Sequence, residues 1–101
     1  MAATPETASG KASGELSYHL DQNFPNPSLQ STTIDYGISA SEAVELVLYD
    51  MQGRVMKVMV NETRAAGNYQ YELNTAFLPK GIYLYRMSAG RYVATRKMLV
   101  Q

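Results

Sequence analysis

The sequence contains no cysteine, which excludes disulfides, thiolate metal sites and thiol nucleophiles and leaves the fold indifferent to the redox state of its compartment. Its core must hold by packing alone. It has one histidine, His19, so imidazole and thiol side chains can assemble neither a zinc site nor a nucleophilic triad. No apolar run approaches the ~18 residues that a membrane-spanning helix requires, and no basic segment with a following apolar stretch marks the N-terminus as a secretory leader. Excess charge is missing too. Nine Lys and Arg balance nine Asp and Glu, a balance that offers no global attraction to nucleic acid or to anionic lipid. The glycines form no phosphate-binding pattern leading into a helix, and Asp50 with Gly53 lacks the ligand spacing and closing Glu of a calcium loop. Glu42 and Glu45 read as a solvated loop and a solvated strand face rather than an acid–base pair. The chain is therefore read as a non-enzyme with no cofactor.

With 101 residues there is room for one core, since chains of this length bury about two-thirds of their unfolded surface. Residues 2–15 are mostly Ala, Thr, Ser and Gly with no large apolar side chain, too little burial to offset the entropy of ordering a backbone. Residues 1–15 are thus expected to be a flexible linker. Met1, Ala2 and Ala3 read as an artificial start, so the chain is taken as a piece of a longer protein. From Leu16 onward, short apolar runs separated by turn residues at intervals of roughly ten predict an antiparallel all-β sandwich or barrel over residues 16–101.

The strands follow from period-2 alternation. Leu16 to Leu20 is expected to be an edge strand. Pro25 and Pro27, flanking Asn26, deny two ladder donors and predict an extended crossover between sheets. Thr32 to Ile38 should turn Ile34, Tyr36 and Ile38 inward. Ala43 to Tyr49 should do so with Val44, Leu46 and Leu48, its second face partly apolar and covered. Asp50 to Gly53 predicts a tight turn with Gly53 at positive φ, and Arg54 to Val60 the returning strand. Asn61 to Gly67 reads as a polar connection. Asn68 to Asn74 should bury Tyr69, Tyr71 and Leu73, and Ile82 to Ala89 with Arg91 to Val100 should form a hairpin turning at Gly90. Leu78, Pro79, Lys80, Gly81, Ile82 and Tyr83 resemble the corner entering a late strand of immunoglobulin-like sandwiches, which assigns Tyr83 a hydrogen bond to nearby backbone. Seven strands, a proline crossover and this corner predict an immunoglobulin-like Greek-key sandwich. The eight Tyr suit core and rim better than a sugar-stacking platform.

The zero total charge conceals an asymmetry. Lys80, Arg86, Arg91, Arg96 and Lys97 stand without any acid in the last 22 residues, giving that segment +5 and the remainder −5. The bland account is a solvated strand face. The functional account is a basic terminal hairpin offering a partner both charge and a β edge. The apolar run Met98, Leu99 and Val100 favours docking, with Arg91, Arg96 and Lys97 as its cations. The exposed edge also makes dimerisation by sheet extension conceivable.

Six segments together resemble the type A C-terminal sorting domains of the type IX secretion system of Bacteroidetes. They are Leu20 with QNFPNP (Gln22 to Pro27), STTIDY (Ser31 to Tyr36), VELVLYDMQGR (Val44 to Arg54), AGNY (Ala66 to Tyr69), LPKGIYLYR (Leu78 to Arg86) and RKMLV (Arg96 to Val100). Within these segments Pro25, Asn26, Pro27, Tyr49, Asp50, Gly53, Pro79, Gly81 and Tyr83 are read as structural motif residues. Arg96 stands where the family often has Lys, and Gln101 where a Lys or another polar residue is common. The resemblance implies a seven-stranded immunoglobulin-like sandwich fused behind a cargo protein. That cargo crosses the inner membrane by an ordinary signal peptide and is recognised in the periplasm. An outer-membrane shuttle and a sortase of the secretion system are the implied partners, with cleavage in the linker and delivery to the cell surface or medium. Recognition would centre on the final strand. The alternative is an immunoglobulin-like spacer or carbohydrate-binding module of a surface protein.

Overall fold

Alternation between inward apolar and outward polar side chains builds seven strands in the computed structural model, which describes residues 16–101. The expected linker, residues 1–15, lies outside the described residues. The strands are β1 (His19–Leu20), β2 (Ser31–Ile38), β3 (Glu42–Tyr49), β4 (Val55–Arg64), β5 (Gly67–Asn74), β6 (Gly81–Ala89) and β7 (Tyr92–Val100). They pair antiparallel in two sheets, β1-β2-β5 and β4-β3-β6-β7. Among the described residues there is no helix.

One core joins the sheets. Leu20, Ile34, Tyr36, Ile38 and Leu73 come from the three-stranded sheet; Val44, Leu46, Leu48, Tyr83, Tyr85, Met87, Met98 and Val100 come from the four-stranded one. Each large apolar side chain so buried contributes about 1.5–3 kcal/mol relative to exposure, which a cysteine-free domain needs. The inward sets expected of β2 and β3 are the observed ones. In β5, Leu73 is buried while Tyr69 and Tyr71 are half-buried against the core. Val47, on the second face of β3, is also covered, at 6% exposure.

The alternation fails in β4. That strand continues to Arg64, so the polar connection expected over Asn61 to Gly67 shrinks to Ala65 and Ala66. Register shifts set Leu46 opposite Val60 but Val47 opposite Val58, and Leu48 opposite Lys57 but Tyr49 opposite Val55. Each shift inserts one residue, Met59 and Met56 respectively, and both pack on the core. Bulges of this kind break the period-2 pattern on which a strand is recognised.

The crossover is present as expected and begins in one sheet and ends on the other. Phe24 exchanges backbone hydrogen bonds with Thr33 at 2.9 and 2.8 Å. Four residues later the Ser28 amide donates to Leu99 O at 2.8 Å and Ser28 O accepts from Gln101 at 2.9 Å, a parallel bridge to β7. Pro25 and Pro27 both follow cis peptide bonds. The first strand is shorter than expected, two residues rather than five, and pairs only with β2.

Candidate functional site

The β6–β7 hairpin turns at Gly90 and Arg91, where Gly90 takes φ 60°. A side chain there would meet backbone strain and also the Glu42 carboxylate, 2.6 Å from an ideal Cβ. Glu42 in turn accepts the Tyr18 hydroxyl, and the Tyr18 ring stacks on Tyr92 at 5.5 Å. The start of the described chain is thereby fastened to the hairpin tip.

Strand parity decides which of the hairpin's side chains a partner could meet. Tyr83, Tyr85, Met87 and Ala89 of β6 face the core, as do Met98 and Val100 of β7, 0% and 4% exposed. Arg91, Lys97 and Leu99 are exposed. Arg96 has the inward parity of Met98, and its Nε donates to Leu20 O at 2.8 Å. Although exposed, it therefore clips β7 to β1 across the gap between the sheets.

The backbone edge of β7 is largely occupied at its C-terminal end. Lys97 O accepts from Gln22 Nε2 at 2.6 Å, the Leu99 amide donates to Asn26 Oδ1 at 3.0 Å, and Ser28 takes both Leu99 O and the Gln101 amide. The β edge expected to be on offer there is thus closed by the crossover segment. Sequence reasoning missed this because nothing local links positions 22–28 to positions 97–101.

Other motif residues have structural partners. Tyr83 Oη donates to Pro79 O at 2.6 Å, the corner bond expected. Tyr85 makes a second anchor: its hydroxyl donates to Asp21 O at 2.6 Å and accepts the Asn23 amide at 2.7 Å. Burial pushes the Tyr85 phenol up to about 12, against the opposing effect of the Asn23 amide. Asn23, 2% exposed, also donates to Thr32 Oγ1 and Pro25 O. In the β3–β4 turn Gly53 has φ 86°, and Asp50 accepts the amides of Gln52 and Arg54 at 2.9 Å and Arg54 Nε at 2.7 Å. Those bonds, the Arg54 amide first, hold the Asp50 carboxyl below its ordinary range. Gly81 opens β6, Pro79 and Lys80 are exposed, and Tyr49 is half-buried.

His19 holds Asp21 through Nδ1 at 2.9 Å and Asn68 through Nε2 at 3.1 Å, over Gly37. No group of three or more His, Cys, Asp or Glu among the described residues could hold a metal ion. No helix among them is long and apolar enough to cross a membrane. All eight Tyr are buried or half-buried, so none presents an exposed ring for stacking on a sugar.

The chain matches the family described as secretion system C-terminal sorting domain over residues 22–101. No curated protein and no solved structure matches it.

Proposed function

Because the chain belongs to the family of secretion system C-terminal sorting domains and is a sorting signal for type IX secretion, we propose that the secretion machinery reads it on the β6–β7 hairpin, through outward side chains. The signal directs export across the outer membrane toward the cell surface or extracellular space. On this reading the cargo precedes the sandwich and reaches the periplasm by its own leader. An outer-membrane shuttle meets the hairpin there, and a sortase cuts within residues 2–15 after transfer. The domain itself catalyses nothing. Its strand order and the Tyr83–Pro79 bond support an immunoglobulin-like Greek key.

One observation carries the reading of the hairpin. The edge of β7 at Lys97 to Gln101 is bonded to residues 22–28, whereas the side chains of Arg91, Lys97 and Leu99 are exposed on the most basic part of the sequence. Recognition by side chains therefore fits this strand end better than strand addition. The test is export of the full chain fused behind a periplasmic reporter in a type IX-competent host. The fusion should reach the surface or medium, and Lys97→Glu with Leu99→Ser should cut export at least tenfold with little change in Tm. Undiminished export of that variant would overturn the hairpin reading. The spacer or sugar-binding alternative has no observation in its favour.

A further inference from the structure

An antiparallel sheet with one solvated face normally alternates apolar inward with polar outward. The outer face of the three-stranded sheet does so: Thr33 lies opposite Glu72 and Asp35 opposite Gln70. The outer face of the four-stranded sheet does not. Val58 lies opposite Val47, which lies opposite Arg86; Ile82 lies opposite Leu99; and Val55 and Lys97 end the row between them. Val55, Val58, Ile82 and Leu99 are 58, 52, 41 and 36% exposed. Contiguous apolar surface of this kind marks interaction sites more often than scattered single residues do.

The cations on this face are as informative as its apolar side chains. Neither Arg86 nor Lys97 has an ion pair among the described residues, whose three pairs lie elsewhere. An Arg amid apolar rows is the composition of an interface centre. Residues 2–15 contain no large apolar side chain that could cover the face. A second copy would bring the same unpaired cations, Arg86 and Lys97, to both sides of the contact. An anionic membrane is matched by clusters of about 4–8 basic residues rather than two. We propose that this face docks a partner protein whose complementary surface is apolar and carries carboxylates that meet Arg86 and Lys97. The proposal rests on the hairpin reading and extends the recognised surface onto β3 and β4.

Val58 tests the extension because it lies on β4, outside the hairpin. The full chain is fused in turn behind two unrelated periplasmic reporters and carries Val58→Asp, Val58→Lys or the isosteric Val58→Thr. Export should fall at least tenfold with Val58→Asp and only a few-fold with Val58→Lys or Val58→Thr, for both reporters and with folding retained. Val58→Thr keeps the shape of the side chain and carries the test if a charged variant fails to fold. Unchanged export in every folded Val58 variant would overturn the docking face while leaving the hairpin reading to its own Lys97 and Leu99 variant. A larger loss with Val58→Lys than with Val58→Asp would overturn the acidic partner. The full chain alone should sediment as a monomer, and a dimer dispersed by Val58→Asp would assign the face to a second copy instead. It should also ignore phosphatidylglycerol vesicles, and binding abolished by Arg86→Glu would assign the face to lipid.

Discussion

The amide of Leu99 donates to Oδ1 of Asn26 at 3.0 Å across 73 positions of sequence. With Gln22 and Ser28 on neighbouring groups of the same strand, this bond makes the segment between β1 and β2 a cover for the sheet edge at β7. An exposed edge is a template for unwanted pairing, and here its C-terminal end is occupied from within the chain. The other strands with a neighbour on only one side are β4, β5 and the two-residue β1, and β4 is bulged twice.

Asn26→Ala removes the acceptor for the Leu99 amide without touching the core. Asn26 is exposed, so water can replace the lost partner, and the expected cost is about 0.5–1.5 kcal/mol. Native-state hydrogen exchange is the sharper measurement. Exchange at Leu99 and Gln101 should accelerate while amides in β2 and β3 keep their protection.

Tyr85→Phe should be more costly, because it orphans the Asn23 amide and the Asp21 carbonyl in one step. A buried polar group left unpaired costs about 1–3 kcal/mol, and Asn23 is 2% exposed. The phenol's pKa is raised to about 12 in the fold from an ordinary 10.0. The stabilisation from the protonated hydroxyl is therefore complete below pH 10 and is lost as the pH climbs toward 12. Alkaline absorbance titration of the native protein should show a late component near pH 12 that the variant lacks.

Most of the fold was legible residue by residue where period 2 is unbroken. Ile34, Tyr36 and Ile38, or Val44, Leu46 and Leu48, announce their faces because the pleat sends alternate side chains to opposite sides. Tight turns at Gly53 and Gly90 and the Tyr83 corner are local as well. What was hidden is non-local or out of phase. Met56 and Met59 enter the core at bulges, and polar Asn61 to Arg64 read as a connection although they are paired with β3. Gln22, Asn26 and Ser28 reach β7 only through the folded crossover. Within the candidate site, charge and position singled out Lys97 and Leu99, which are exposed, but the bonded role of Arg96 needed the geometry of Leu20.

Asp50 organises the β3–β4 turn as an ionised carboxylate, since three donors converge on its two oxygens. Its folded pKa lies below the ordinary 3.8, so its stabilisation is present above about pH 4 and is lost as acid carries the pH through the lowered folded value. Thermal midpoints of the parent should fall over that acid window. Asp50→Asn should start less stable at neutral pH and show a flatter acid profile.

Arg91 and Arg96 should separate although both are basic and only five positions apart. Arg91→Glu changes an exposed side chain in the turn and should stay within about 0.5 kcal/mol of the parent. Arg96→Glu removes the donor to Leu20 O and sets a carboxylate against that carbonyl, which should lower stability by more than about 1 kcal/mol. Chemical denaturation of the two single variants measures the difference. Equal stability would mean that the Arg96–Leu20 bond does not hold β1.

Removing Lys97 to Gln101 should abolish the cooperative unfolding transition rather than trim a tail. Met98 and Val100 are 0% and 4% exposed, and large-to-small changes at such core sites cost about 2–5 kcal/mol for a Met. Losing both, together with the ladder to β6 and the bonds from Ser28 and Asn26, approaches the whole stability of a small domain, about 5–15 kcal/mol. The same five residues thus hold the sandwich with Met98 and Val100 and expose Lys97 and Leu99, the side chains proposed to be recognised. Calorimetry of the truncated chain beside the Lys97→Glu, Leu99→Ser variant should show no transition in the first and a near-parental one in the second. A truncated chain that still melted cooperatively would place the core's closure elsewhere than β7.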